Sequence, residues 1–479
     1  MQTRRTPQAP RPLRTTAAAW LATMAVSAAG ALPARPAHAA EPPALEIPFQ
    51  RFELENGLVV LLHEDHTLPQ VTVNLSYRVG SKDETPGRTG FAHLFEHLMF
   101  MGTEKAPRGA FDAFMEAEGA WNNAWTSEDR TDYFELGPSH VLPLFLWLEA
   151  DRMQSLGRLI DQTKLDLQRD VVRNERRQTS ENTPYGLVEL ELPKMLFAPG
   201  HPYHHPVIGS HEDLQAASVA DVRSFFDKFY VPNNASLVIA GDFERAAAEA
   251  QVRQLFGGLP RAADPHAGTT PPAAPTNAHV RARVTVEDRV DQPRIHFVYQ
   301  TPAHFQPDDA ELSLLGSILS TGKASRLHAS LVYEKELAQD VGATQASGVL
   351  GSRFIIQATA REGVSAEKLE KAMDEALAKL MKDGVTPDET ERARNGVQMG
   401  FVSALQGVME RASLLNLYQA EAGRPDFVAA DLARYTQATP EGIGKAARQW
   451  LAPGRRGVLW VVPRPAAPAA DAAGQEKSK

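Results

Sequence analysis

The segment His93-Leu94-Phe95-Glu96-His97 has the residue types and the spacing of a metal-dependent hydrolytic site. On a helix, positions 93 and 97 lie one turn apart and project from the same face, so both imidazoles can bind one metal ion. Glu96 lies on the flank of that face, where its carboxylate can reach a metal-bound water without being a ligand. Imidazoles beside a carboxylate suit catalytic zinc, which lowers the pKa of its bound water to roughly 7. The pattern therefore predicts a zinc site at which Glu96 is the general base of a hydrolysis.

A catalytic zinc needs a third protein ligand, and Glu175 is the best candidate. It lies on the mostly apolar stripe of a predicted helix over residues 163–179, where a lone acid needs a partner. A salt bridge to a neighbouring arginine would satisfy the same carboxylate without any metal. Spacing alone also leaves three other acids open as the third ligand, namely Glu181, Glu189 and Glu191.

Composition excludes several classes of protein. The chain has 479 residues with 50 Lys and Arg against 59 Asp and Glu, so it lacks the basic excess that binding to nucleic acid requires. It contains no cysteine, which excludes thiolate zinc sites, thiol catalysis and iron–sulfur clusters.

The N-terminus has the composition of an export signal. Four arginines without any acid precede an apolar stretch from about Thr16 to Leu32, and Ala37-His38-Ala39 offers a cleavage site. A membrane anchor is the alternative, but the apolar stretch is shorter than the ~20 residues that a span needs. We therefore expect residues 1–39 to be a signal peptide and the protein to be periplasmic or secreted, without stable membrane insertion.

The rest of the chain reads as a duplication. Both halves close with a helix that ends in an aromatic residue, followed by a proline stop and an apolar strand, as at Tyr230-Val231-Pro232 and Trp450-Leu451-Ala452-Pro453. Between the halves, residues 257–280 are rich in Gly, Pro, Ala and Thr, which is typical of a linker. The predicted fold class is α+β, with two homologous domains that each pack helices on one face of an antiparallel sheet.

The predicted boundaries follow from these patterns. Residues 40–256 form the catalytic domain, 257–280 the linker and 281–463 a homologous inactive domain, because no second H-x-x-E-H occurs after Asn277. The Pro- and Ala-rich residues 464–479 are expected to be a disordered tail.

With Glu175 inside VVRNERRQ, the HLFEH segment resembles the pitrilysin/insulysin-type metallopeptidases, the inverzincins. The length resembles the mitochondrial-processing-peptidase branch and its bacterial periplasmic relatives. This resemblance implies that His93, His97 and Glu175 bind one zinc ion and that Glu96 is the base. The chain departs from many relatives at Gln168, where they carry a second acid that could tune the metal.

Two further segments share the resemblance. Residues 121–126 match an edge strand that pairs with extended substrate in the family, which implies backbone contacts from Asn123 and Ala124; a plain core strand is the alternative. The segment HPYHHPVIG at residues 201–209 could hold a second metal, although a structural turn around its prolines is the favoured interpretation.

The second half lacks two residues that the family uses to hold substrate. An arginine and a tyrosine, seven residues apart, would fall at Val332 and Gln339. Unless Tyr333 or a nearby arginine substitutes, the resemblance implies a heterodimer in which a homologous subunit supplies both groups. A shifted alignment and a self-sufficient homodimer are the alternative.

We therefore predict an exported zinc metalloendopeptidase that hydrolyses oligopeptides or unfolded polypeptide segments. A non-catalytic peptide-binding or metal-binding subunit is the alternative.

Overall fold

The computed structural model describes residues 45–269, 280 and 282–465. The predicted signal peptide, the linker residues 270–279 and the tail from residue 466 lie outside the described residues. Among the helices that are described, none combines the length and apolarity that crossing a membrane requires.

The first half contains a six-stranded sheet and eight helices within the described residues. Its strands are β1 (Gln50–Glu53), β2 (Val59–Glu64), β3 (Gln70–Tyr77), β4 (Trp121–Thr126), β5 (Thr131–Pro138) and β6 (Ala235–Gly241). Its helices are α1 (Phe91–Leu98), α2 (Ala110–Ala117), α3 (Leu142–Leu159), α4 (Gln162–Arg176), α5 (Leu187–Leu196), α6 (His211–Ala216), α7 (Val219–Phe229) and α8 (Arg245–Phe256).

The second half contains a five-stranded sheet and six helices within the part of the chain that the structure describes. Its strands are β7 (Arg283–Asp288), β8 (Arg294–Thr301), β9 (Ala338–Ala346), β10 (Ser352–Ala360) and β11 (Gly457–Pro463). Its helices are α9 (Asp309–Ser320), α10 (Ala366–Asp383), α11 (Pro387–Ala404), α12 (Val408–Leu417), α13 (Val428–Thr436) and α14 (Pro440–Trp450).

Apart from the additional edge strand β1, the two sheets have the same strand order. The first runs β1-β2-β6-β3-β5-β4 and the second runs β7-β11-β8-β10-β9, so that every strand after β1 has a counterpart. The predicted α+β fold of two homologous halves is therefore confirmed. The expectation of purely antiparallel sheets is wrong in one detail, because β2 pairs with β6 and β7 pairs with β11 in parallel. In each half the last strand returns after a run of helices, and such long crossovers permit parallel pairing.

Helices cover both faces of each sheet, whereas one covered face was expected. On the second face of the first sheet, α12 of the other half packs against β3 and β6, with Val408, Ala412 and Leu415 in one apolar cluster with Val238 and Ala240. In return, α5 of the first half packs on β8 and β11. Each half thus completes the core of the other, which explains why all seven residues of β6 are buried.

A buried ion-pair cluster lies within the first half. Arg152 on α3 donates from Nε to Glu149 at 2.8 Å and from Nη2 to Glu135 at 3.4 Å, and both acids are fully buried. The guanidinium also lies over the ring of Tyr133, 4.4 Å from its centroid. Burial raises the pKa of Glu135 well above its ordinary value, and the charge of Arg152 opposes that rise.

Candidate metal centre

Helices α1 and α4 bring the side chains of the three predicted metal ligands together. Nε2 of His93 lies 3.6 Å from Oε1 of Glu175, and Nε2 of His97 lies 3.2 Å from Oε2 of the same carboxylate. The donor atoms of all three side chains lie within 4.8 Å of one another, and this is the only such group of at least three potential ligands among the described residues. The structure therefore places the ligand atoms of the three predicted residues around one common position.

These separations fit a zinc ion. Tetrahedral zinc with ligands at about 2.0–2.1 Å holds neighbouring ligand atoms roughly 3.3 Å apart. The observed distances of 3.2 and 3.6 Å between imidazole nitrogens and carboxylate oxygens are close to that spacing. Two imidazoles and one carboxylate are also a donor set that catalytic zinc uses.

The electrostatics favour the protonation states that bind a metal. Burial lowers the pKa of His93 to about 4, so this imidazole is neutral at neutral pH. The hydrogen bond from His97 lowers the pKa of the half-buried Glu175 carboxyl, so this group is ionised. Neutral imidazole and carboxylate are the forms that metal binding requires.

The competing partners of Glu175 and the competing acids lie elsewhere. Of the three nearby arginines, Arg173 donates to Gln215, Arg176 to Glu181 and Arg177 to Asn174.

The other acids that could be the third ligand are paired elsewhere or exposed: Glu181 also contacts His211, Glu191 pairs with Lys194, and Glu189 is exposed. The geometry therefore favours Glu175 over the alternatives that spacing alone left open.

Glu96 is oriented by a residue that the sequence did not single out. The Thr126 hydroxyl, at the end of β4, donates to Oε2 of Glu96 at 2.5 Å. Burial raises the pKa of Glu96, which brings a carboxyl closer to the range useful for a general base at neutral pH. Thr126 belongs to the predicted edge strand, but only the fold brings that strand beside α1.

The N-terminus of α1 is fixed by a second residue that sequence reasoning missed. The buried Glu84 carboxylate accepts from the backbone N–H groups of Gly90 at 2.9 Å and Ala92 at 2.8 Å. An acid at this position complements the positive end of the helix. A Cβ at Gly209 would lie 2.4 Å from the Gly90 Cα, so the 201–209 loop packs directly against the start of α1.

The histidines of that loop contact backbone groups. Nδ1 of His204 lies 2.6 Å from the Phe197 carbonyl oxygen, and Nδ1 of His201 accepts from the Tyr203 N–H at 3.0 Å. No second group of potential ligands is found among the described residues. These contacts favour the structural turn over a second metal site.

The remaining predicted positions lie around the centre. Gln168 on α4 donates to the sulfur of Met101, just beyond α1, at 2.8 Å. Asn123 and Ala124 lie on β4, the last strand of the first sheet, where the Ala124 N–H donates to the Asn123 side chain at 2.9 Å. Their predicted contacts with substrate stay predictions.

In the second half, the position expected for the family arginine is buried. Val332 is 8% exposed and its carbonyl accepts from Arg361 at 2.9 Å, whereas Tyr333 is 51% exposed. Gln339 lies at an exposed position of β9. A core position could not present an arginine to substrate without repacking, which supports the alternative of a shifted alignment.

Comparison with known proteins agrees with this geometry. Residues 59–203 match the family model described as Insulinase (Peptidase family M16), and residues 216–397 match the model described as Peptidase M16 inactive domain. The zinc protease PqqE of Helicobacter pylori is 30% identical over 366 residues, which are 76% of this chain and 82% of that protein.

Solved structures show the same fold. The crystal structure of a protease from Helicobacter pylori matches with a TM-score of 0.81 and 26% identity, and covers 87% of this chain and 100% of that one. The first half of the periplasmic protease PqqL from Escherichia coli matches with a TM-score of 0.69 over 87% of this chain and 92% of that one; at 18% identity it shows the fold alone. With both halves matched and a relative similar over most of its length, the chain belongs to peptidase family M16.

Proposed function

We propose that this chain is an exported zinc metalloendopeptidase that hydrolyses oligopeptides or unfolded polypeptide segments. The observation that carries the proposal is the convergence of His93, His97 and Glu175, with Glu96 on the same helix as the two imidazoles. Relatives named zinc protease support the metal and the reaction class.

In this proposal His93, His97 and Glu175 hold the zinc ion, which when bound supplies Lewis-acid activation of water and of the scissile carbonyl. Glu96 takes a proton from the attacking water and delivers it to the leaving amine. Because Thr126 donates to Oε2 of Glu96, we assign the proton transfer to Oε1.

The edge strand β4 supplies a binding mode for the substrate. An extended peptide that pairs with β4 near Asn123 and Ala124 would bind mainly through backbone groups, which demands little of its side chains. This mode favours unfolded segments over folded proteins.

We further infer that the active form is a dimer. A homologous subunit that supplies the arginine and tyrosine is one form, and a homodimer is the other. The burial of Val332 favours the homodimer, because it weakens the alignment that assigns the missing arginine to this position. Arg361, which donates to the Val332 carbonyl, is a nearby arginine of this chain that can take its place.

Export to the periplasm rests on the signal-like residues 1–39.

The non-catalytic alternative has one observation in its favour, the match of residues 216–397 to an inactive domain. The metal-binding residues lie outside that match, within residues 59–203. The inactive half therefore does not count against catalysis by the first half.

Peptide hydrolysis tests the proposal. We expect the mature chain to cleave a quenched fluorescent peptide, to lose activity on chelation and to regain it with zinc. Activity of the chain alone supports the homodimer, and activity only after mixing with a homologue that lacks the H-x-x-E-H motif supports the heterodimer. A zinc-loaded chain that is inactive in both cases would contradict the proposed function.

A further inference from the structure

The turn that follows the edge strand β4 is held by the second half of the chain. This turn, residues 127–130, joins β4 to β5. Arg353 donates to the Glu128 carboxylate at 2.9 Å, and the Val349 N–H donates to the Asp129 carboxylate at 3.1 Å. Both contacts come from the segment around the β9–β10 connection, so the second half binds the β4–β5 hairpin that borders the candidate metal centre.

A buried ion pair makes the third contact. Nε of Arg130 lies 3.7 Å from Oε1 of Glu421, and Oε2 of Glu421 lies 2.7 Å from Nδ1 of His304. The side chains of Arg130 and Glu421 are 9% and 11% exposed, so water screens this pair only weakly. Glu421 follows α12 in the second half, so the charge that faces Arg130 comes from across the interface between the halves.

The same Arg130 guanidinium also contacts β4. Its central carbon lies 4.7 Å from the ring centroid of Trp125, and Nη1 lies 3.1 Å from Asp132 on β5. Trp125 directly precedes Thr126, whose hydroxyl donates to Glu96 at 2.5 Å. A short path of contacts therefore runs from Glu421 through Arg130 and the end of β4 to Glu96.

We propose that the second half positions Glu96 for catalysis, with Glu421 and Arg130 as positioning residues that act through Thr126. This inference rests on the proposed function, since it concerns how the general base of that reaction is oriented. Misplacement of a reacting group by about 1 Å can cost on the order of 10²-fold in rate. Loosening the 127–130 turn should therefore lower kcat while the metal stays bound.

The test uses the full mature chain loaded with zinc. Glu421→Gln removes the charge that faces Arg130 and keeps the side-chain shape. We expect kcat to fall about 10-fold while KM changes less than about 3-fold and the zinc content stays unchanged. Glu370→Gln is the matched control, because Glu370 is also 11% exposed and pairs with an arginine, Arg283, but within the second half alone.

A double-mutant cycle tests whether Glu421 acts through Thr126. Thr126→Val should lower kcat about 10- to 100-fold, and Thr126→Ser, which keeps the hydroxyl, should restore most of it. Adding Glu421→Gln to Thr126→Val should then cost less than about 3-fold more, since the shared path is already broken. Fully multiplicative effects, or a Glu421→Gln chain with the kcat of the wild type, would overturn the proposal.

Hydrogen exchange separates this inference from the proposed function. In Glu421→Gln, amides of residues 121–131 should exchange faster than in the wild type, and in Glu370→Gln they should not. Unchanged exchange in Glu421→Gln overturns the positioning role even if the chain hydrolyses no peptide. If Glu421→Gln does not fold, Arg353→Gln removes the partner of Glu128 on the same turn, at a pair whose side chains are only 25% and 26% exposed. It should give the same pattern of kcat and exchange, and its failure to do so overturns the role.

Discussion

We expect replacement of Glu96 with Gln to lower kcat about 10²- to 10⁴-fold and to leave the zinc content unchanged. The amide keeps the shape of the side chain and can still accept from the Thr126 hydroxyl, but it cannot take a proton from water. The three proposed ligands are untouched, so the metal stays bound. Steady-state hydrolysis of a quenched peptide, together with metal analysis of the same sample, measures both quantities.

Glu104→Gln is the control for this substitution, because Glu104 is an exposed acid on the segment that follows α1. It should keep the kcat of the wild type. If Glu96→Gln hydrolyses peptide at the rate of the wild type, Glu96 is not the base and the assignment of the reaction fails.

We expect replacement of Arg152 with Met to lower the free energy of unfolding by about 3–5 kcal/mol at pH 7.5, because it leaves two buried acids without their cation. Glu135 and Glu149 are both fully buried and both bonded to this guanidinium. Without it, the pKa of Glu135 in the folded state rises further above its value in the unfolded chain, because the guanidinium no longer opposes the effect of burial. The loss of stability is therefore small near pH 4.5 and grows as the pH rises.

Equilibrium unfolding in urea at pH 7.5 and at pH 5.0 measures this effect. Arg158→Met, an exposed position on the same helix, should change the free energy of unfolding by less than about 0.5 kcal/mol at either pH. An Arg152→Met chain as stable as Arg158→Met at pH 7.5 would show that the cluster does not depend on its cation.

The short-range part of the site could be predicted from sequence because helix geometry fixes it. His93 and His97 lie one turn apart on any helix, and the apolar residues around them predict that helix. The role of Glu175 was harder to predict, since its spacing placed it on the inward stripe of α4 but did not show which residues that stripe faces. The geometry now separates it from Glu181, which pairs with Arg176.

Long-range contacts were not predictable from local patterns. Thr126 and Glu84 support the centre from segments whose proximity to α1 exists only in the folded chain. The exchange of α5 and α12 between the halves was also missed, because an amphipathic pattern shows that a helix packs but not on which sheet. The fully buried β6 carried the clearest signal, since a strand with both faces covered reads as a continuous apolar run.

Zinc binding by the metal-free mature chain tests the central claim most directly, with Glu175→Gln compared with Glu181→Gln. We expect about one zinc ion per chain in the wild type and in Glu181→Gln, and loss of most of that zinc in Glu175→Gln. These two acids competed for the role of third ligand, so the pair isolates the contribution of the carboxylate that faces both imidazoles. A Glu175→Gln chain that still binds one zinc as tightly as the wild type would contradict the proposed centre.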